Sequence, residues 1–493
     1  MKKIIEKYKI IILLIVVSCT ACNKWVDIPP KDRLTQNVLF ATKEGYLKAL
    51  NGIYSELATS SLYGRELSMG TLDVMAQYYN MGDDQHNMLP YSSFDYSSDN
   101  FKTRLNTIWS SFYKMIANAN AILDRTVDHK GVLVGEYYGM VRGESLAIRA
   151  MLHFDLLRMY GPIYSLNKDL PSIPYIASSD RSVQPLLSSE KIIELIVKDL
   201  VEAEGLLREA DPVTKEGPRN FSGFDHNDFH YRQYRLNYFA VKALLARAHL
   251  WAGNKVKALE SAKAVIDEGQ RPGVEFFPFV TLEEFRPSST NFVSDRVFSK
   301  EVLFSCYSEG RVNTFNSSFS ASLGVNSILT FPGSISEGRS FDLYDNQNDY
   351  RRGWWSSATV NQSEVLFFNK YEDLFDQNGN SNAFRYMIPL IRISEMYLIA
   401  AECNESVSQA SSYLNKLRLH RGIHEIEYQN EDDIRRSVES EYIKEFMGEG
   451  QLFYFFKRNA YTELPDSKRG GTIPMALNNY IFPLPESETS QRN

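Results

Sequence analysis

Two stretches of this chain, residues 236–267 (LNYFAVKALLARAHLWAGNKVKALESAKAVID) and 388–418 (IPLIRISEMYLIAAECNESVSQASSYLNKLR), each read as two amphipathic helices joined by a turn. In the first the turn is Gly253–Asn254, and Ala248, Ala258 and Ala262 are separated by ten and four. In the second, Ala400, Ala410 and Leu414 repeat those separations. Small residues at these places let antiparallel helices approach closely, as in tetratricopeptide-like units, although the full repeat signature is absent. A further helix is expected in ESLAIRAMLHFDLLRMYG, where Leu146, Ala150, Phe154 and Leu157 share one face and Gly161–Pro162 ends it. Residues 187–210 form another, with Ser188 or Ser189 as the N-cap. Between the two hairpins the texture changes. Residues 271–385 are rich in Gly, Ser, Asn, Pro and aromatics, which predicts irregular loops with short strands such as EVLFSCY. The expected fold is mostly α: a tetratricopeptide-like helical-hairpin scaffold with a loop-rich insertion.

A chain of 493 residues with 43% hydrophobic and 23% charged residues can bury a substantial core. Its net charge of -7, with no dense Lys/Arg cluster, argues against nucleic acid as a partner. At the N-terminus Lys2, Lys3, Lys7 and Lys9 precede the apolar run Ile10 to Val17. That run is far short of the ~20 residues a spanning helix needs, so it predicts a signal peptide. It ends in VVSCTACNKW, where a Cys after small residues resembles a bacterial lipobox. Cys22 follows Thr20 and Ala21, and Cys19, with Val16 three places upstream, is the alternative acylation site. Acyl chains contribute about 0.8 kcal/mol per buried CH2, so several on one residue make a durable tether. The remaining cysteines, Cys306 and Cys403, sit in apolar contexts and read as core thiols. The chain thus divides into a signal peptide with lipobox (1–22), an N-terminal helical region (23–235), a hairpin (236–270), the insertion (271–385) and a C-terminal helical region (386–493).

Several segments together resemble the SusD/RagB family of outer-membrane nutrient-binding lipoproteins. They are CNKWVDIPPKD, ALNGIYS (Ala49 to Ser55), IWSSFYKMIANANAIL (Ile108 to Leu123) and RGESLAIRAMLHFDLLRMYGPI (Arg142 to Ile163). The two hairpins, including PLIRISEMYLIAAE, the element Asp349-Tyr350-Arg351 and the ending IFPLPESETSQRN continue the series in order. The stretch SVESEYIKEFMGEGQLFYFFKR keeps Glu445, Glu449, Gly450, Lys457 and Arg458 but departs from the family at Tyr442, Gln451 and Phe455, where charged residues are usual. Altered core salt bridges are expected there. The resemblance implies a lipid-anchored protein on the outer membrane, facing the exterior, that sits as a lid on a SusC-like TonB-dependent transporter. It would capture an oligosaccharide, or in some relatives a peptide, on a surface built from loops.

Two regions have the texture of such a surface. The loop from Tyr78 to Phe101 holds Tyr78, Tyr79, Tyr91, Phe94 and Tyr96 beside Asp83, Asp84, Gln85 and Asn87. Trp354 and Trp355, the paired tryptophans of DYRRGWWS, lie in the insertion, and adjacent side chains are expected to point apart. Rings give apolar platforms and the polar groups fix orientation. The same rings could instead pin the loops to the core. Arg142, Glu144, Arg149, Arg392 and Glu395 lie on segments with large apolar faces and are expected to pair between helices. His226/His230 and His420/His424 have metal-like spacing, but HNDFH lacks the Glu of the HExxH motif, and no metal or cofactor is expected. No GxSxG elbow, Walker A loop or Rossmann fingerprint occurs, so a binding protein is expected and not an enzyme. A surface glycoside hydrolase is the rival, since hydrolysis needs only two facing carboxyls.

Overall fold

The helical pairs form because apolar and small residues recur at helical spacing and polar residues cap the ends. The computed structural model describes residues 36–493 apart from 82–84, 128–130, 181, 222–226, 288–292, 334–338, 345, 361–362, 375–383, 468–470, 491 and 493. Cys19, Cys22, Asp83, Asp84 and His226 therefore lie outside the described residues. The principal helices of the first half are α1 (Lys43–Leu57), α2 (Asp99–Thr126), α3 (Glu136–Tyr160), α4 (Ser189–Ala210), α5 (Tyr238–Trp251) and α6 (Lys255–Gly269). Ser188 caps α4 by accepting from Lys191 N, and α3 ends at Tyr160, immediately before Gly161. Gly253, at φ +74, makes the α5–α6 turn in the left-handed region that glycine tolerates.

The insertion carries β1 (Val302–Tyr307), α7 (Arg311–Ser318), β2 (Thr330–Phe331), β3 (Trp355–Val360) and β4 (Ser363–Phe368). After it come β5 (Met387–Arg392), α8 (Ile393–Glu402), α9 (Val407–Leu419), α10 (Glu431–Glu445) and α11 (Leu452–Arg458). The sequence reading took 388–392 as the start of a helix. The structure makes it β5, antiparallel to β1 with Cys306 opposite Ile388 and Ser305 opposite Pro389. All six residues of β5 are buried, and a short continuous apolar run containing a proline suits a buried strand better than a helix. A second small sheet has the order β2-β4-β3, all antiparallel.

Three helical pairs stack side by side: α3 with α4, α5 with α6, and α8 with α9, with α4 against α5 and α6 against α8. Ala248, Ala258, Ala262, Ala400, Ala410 and Leu414 are all fully buried at these contacts. Helix α3 is central. The sequence pattern predicts one apolar face, yet every residue from Gly143 to Tyr160 is buried. Its approach to α4 is close at two glycines: a Cβ on Gly139 would lie 2.6 Å from Ala210 Cβ and 3.0 Å from Leu206 O, and one on Gly143 would lie 2.8 Å from Leu207 Cγ. Gly139→Val is therefore expected to cost about 1–3 kcal/mol through overpacking. A urea melt with an unchanged midpoint would show that the two helices are free to separate.

Charges inside this stack are paired. Arg149 makes a bidentate bridge to Asp199 at 2.7 Å, Arg142 reaches Glu202, and Arg232 joins Glu144 and Asp211 at 2.8 Å each. Arg247 of α5 is bidentate to Glu395 of α8 at 2.6 Å. At the departure from the family pattern, Tyr442 stacks on Phe455 with centroids 4.6 Å apart, and Gln451 accepts from Arg158 at 3.1 Å. Rings and an amide thus fill the places where the family pattern has charges. Cys306 and Cys403 are free and buried, and burial pushes the Cys403 thiol up to about 12. His420 lies flat on Phe279, centroids 4.3 Å apart, and burial lowers its pKa to about 4.

A larger ionic cluster ties the insertion to the C-terminal helices. Glu445 accepts from Arg351, Arg392 and Arg421, and Arg421 is also bidentate to Glu301 at 2.9 and 2.6 Å. Arg351 bridges Asp349 and Glu441 at 2.7 and 2.8 Å. Glu449 takes Lys370 at 2.6 Å and Arg392 at 2.8 Å. All of these side chains are at most 1% exposed. Buried charges of this kind persist only when fully partnered.

Candidate functional site

The loop carrying Tyr78 to Tyr96 lies beside a cleft of about 630 Å3, formed by the turns at 60–66, the short helix Leu89–Ser92 and the first two turns of α2. From α2 come Asn100, Thr103, Arg104 and Thr107, spaced i, i+3, i+4, i+7 and so on one helical face. Ser60, Ser61 and Arg65 line the opposite wall, and Asn87, Met88 and Tyr91 come from the loop. Glu66 organises the floor: its carboxylate accepts from Arg104 and from the Thr71 hydroxyl, each at 2.6 Å, and lies 3.4 Å from Arg65. Arg104 also sits over the Tyr91 ring, 4.6 Å from its centroid. Burial raises the Tyr91 phenol, so it stays a neutral hydroxyl near pH 7. Asn87 is exposed and donates to Ser327 Oγ at 3.0 Å, while its N–H donates to Asn326 O, so the loop is latched to the insertion. The chemistry on offer is hydroxyls, amides and guanidinium groups around one aromatic edge, which suits a neutral polyhydroxylated ligand.

The ring residues singled out in the sequence fall differently. Tyr78 and Tyr79 are fully buried: the Tyr78 hydroxyl donates to Ile443 O at 2.7 Å, and Tyr79 packs on Phe319 and Phe368. Trp354 is also fully buried, with its indole N–H on Arg296 O and the Lys370 ammonium 4.3 Å over its ring. These three offer no face to a ligand and belong to the core, because each satisfies its polar atom internally. Phe94 is buried at φ +59, a left-handed turn that redirects the chain towards α2. Tyr96 is half-buried and pinned by its hydroxyl to Asn479 O at 2.6 Å. Trp355, half-buried, packs on Phe331 and Phe368 at 4.5 and 4.9 Å. Of the seven, only Tyr91 lines the cleft, and it does so by its edge, being 2% exposed.

Sequence reasoning missed Ser60, Ser61, Arg65, Glu66 and the polar stripe on α2. The stripe was visible as Asn100, Thr103, Arg104 and Thr107 at helical spacing, set against the apolar face Phe101, Leu105, Ile108 and Phe112. Nothing local marks the partner wall at 60–66. A second cleft, about 740 Å3, opens between the α8–α9 turn, α10 and α11. Both of its arginines are already taken: Arg458 is bidentate to Glu402 at 2.6 and 2.8 Å, and Arg435 lies 3.5 Å from Asp432. The first cleft, bordered by the amide- and tyrosine-bearing loop, is the better ligand site.

Comparison with known proteins places this geometry. Residues 24–215 match a family model described as "Starch-binding associating with outer membrane", and residues 329–491 match one described as "SusD family". The SusD-like protein P2 of Formosa agariphila is 23% identical over 447 residues, 84% of this chain and 81% of that protein. A crystal structure of a SusD-like carbohydrate binding protein from Bacteroides vulgatus superposes with a TM-score of 0.68 at 18% identity, covering 91% of this chain and 96% of the other. A SusD superfamily protein from Bacteroides thetaiotaomicron gives 0.68 at 21% identity, covering 91% and 98%. At these identities the solved structures speak for the fold.

Proposed function

Because this chain belongs to the SusD/RagB family of carbohydrate-binding nutrient-uptake proteins that associate with the outer membrane, we propose that it captures an oligosaccharide in the cleft between residues 60–66 and α2. The captured glycan is handed to a SusC-like TonB-dependent transporter, with the chain tethered by acylation at Cys22, or alternatively Cys19, on the exterior face. The observation that carries this reading is the cleft's lining: hydroxyl, amide and guanidinium groups from three elements converge on one polar space. No chemistry on the ligand is required, and Glu66, the one lining carboxylate among the described residues, is engaged by Arg104, Arg65 and Thr71.

The test is calorimetric titration of the full chain against a panel of glycans and peptides. One glycan is expected to saturate. Arg65→Ala and Asn87→Ala should each weaken it about 10-fold, the ~1.4 kcal/mol of a lost charge-assisted or amide hydrogen bond. Trp354→Phe should leave affinity unchanged, since that ring faces the core. Saturation by a peptide in place of a glycan would move the ligand class, and release of reducing ends during titration would make the protein a hydrolase. Glycan binding indifferent to both cleft variants would remove the cleft from the proposal.

A further inference from the structure

Arg311, the first residue of α7, is 4% exposed. One of its terminal nitrogens donates to Phe384 O and Met387 O at 3.2 and 3.1 Å, but its Nε is buried with no hydrogen-bond partner. Among the described residues no carboxylate forms an ion pair with it. Of the two carboxylates in the same wall, Asp373 gives both oxygens to Arg385 at 3.1 and 2.7 Å. Glu372 is engaged by Arg296 at 2.7 Å, and Lys370 is turned to Glu449. By contrast, the buried arginines Arg149, Arg232, Arg247, Arg351, Arg392 and Arg421 each have a carboxylate partner.

Arg311 adjoins a cavity of about 20 Å3. Four cationic side chains line it (Arg296, Arg311, Lys370 and Arg385); Glu372, Glu449 and Asp373 pair with Arg296, Lys370 and Arg385, which leaves Arg311 as the lining cation without an ion pair among the described residues. A guanidinium does not lose its proton in proteins, and a buried charge is costly unless it is paired. Burial lowers the Arg311 pKa, as expected where the surroundings compensate a cation poorly. A single water needs roughly 10–15 Å3, so the space admits one small solute. Water could accept from Nε but brings no charge. We infer that the cavity holds a single chloride ion, bound to Arg311 Nε, as a counter-charge to this guanidinium. This site is separate from the proposed glycan cleft and shares no lining residue with it.

The line width of 35Cl in sodium chloride solutions of the full chain reads the site directly. Excess broadening that saturates with protein, is displaced by bromide and is lost in Arg311→Met is the expected result. Broadening equal in wild type and Arg311→Met, or none above buffer, would overturn the inference. Should Arg311→Met fail to fold, wild-type crystals grown in sodium bromide decide the matter. An anomalous bromide peak within hydrogen-bond reach of Nε supports the site, and an ordinary water there ends the proposal. Glycan titration in sodium gluconate should be unaffected, which separates failure of this inference from failure of the cleft.

Discussion

Replacing Glu445 with alanine is expected to destabilise the protein by about 3–5 kcal/mol, because three buried guanidinium groups would lose a shared partner at once. Arg351 retains Asp349 and Glu441, and Arg421 retains Glu301, so the structure is weakened and not abolished. At about 1 °C per kcal/mol for a chain of this length, the thermal midpoint should fall by roughly 3–5 °C. A fall of under about 2 °C would mean that water enters and re-solvates the arginines. The pH dependence carries the same sign. Burial alone would raise the Glu445 carboxyl, but Arg421, Arg392 and Arg351 outweigh it and hold it well below the usual range. Glu441, likewise opposed by burial, is lowered by Arg351, Lys444 and Arg418. A carboxyl depressed in the folded state contributes stability that is present above its unfolded pKa, about 4.3. That contribution is lost as pH falls through the folded value. The acid limb of the stability curve should therefore be shallower in Glu445→Ala than in wild type, and parallel curves would assign acid unfolding to other carboxylates.

Lys457→Met is expected to cost a similar ~3–5 kcal/mol by a different route. The Lys457 ammonium is fully buried and donates to the carbonyls of Arg158, Met159 and Gly161 at 2.7, 3.2 and 2.7 Å. These are carbonyls of the last turn of α3 and of its C-cap Gly161, the negative end of the helix dipole, with no intrahelical donor left. Burial and the neighbouring Arg158 pull the lysine pKa well down. The three carbonyls act the other way, because only the charged form has three donors. Methionine keeps the volume and deletes every donor, so hydrogen exchange should accelerate at the end of α3 and in α11 before global unfolding. Protection unchanged in both helices would show that water replaces the ammonium without penalty.

Ring residues were the least legible part of the site. Loop residues have no periodicity to say which side of the chain faces inward, so Tyr78, Tyr79 and Trp354 looked as available as Tyr91. The Trp354–Trp355 pair shows the limit well: adjacent side chains do diverge, but the half-buried Trp355 still packs on Phe331 and Phe368. Conversely the polar stripe of α2 obeys helical spacing and could have been found, whereas the wall at 60–66 meets it only through the chain's path in space.

What the sequence determined by itself was whatever depends on neighbours three or four residues away. The helical pairs at 238–269 and 393–419, the Ser188 cap, the stop at Gly161 and the small residues at the helix contacts are of this kind. Tertiary structure alone decided that 387–392 is a strand, because its hydrogen-bond partners lie at 302–307. It also decided the partners of Glu445, which come from residues 351, 392 and 421, and left Arg311 Nε without a hydrogen-bond partner among the described residues. Local periodicity fixes which face of a helix is apolar. Which charge meets which across a buried interface depends on how distant segments are brought together, and no pattern along the chain records that.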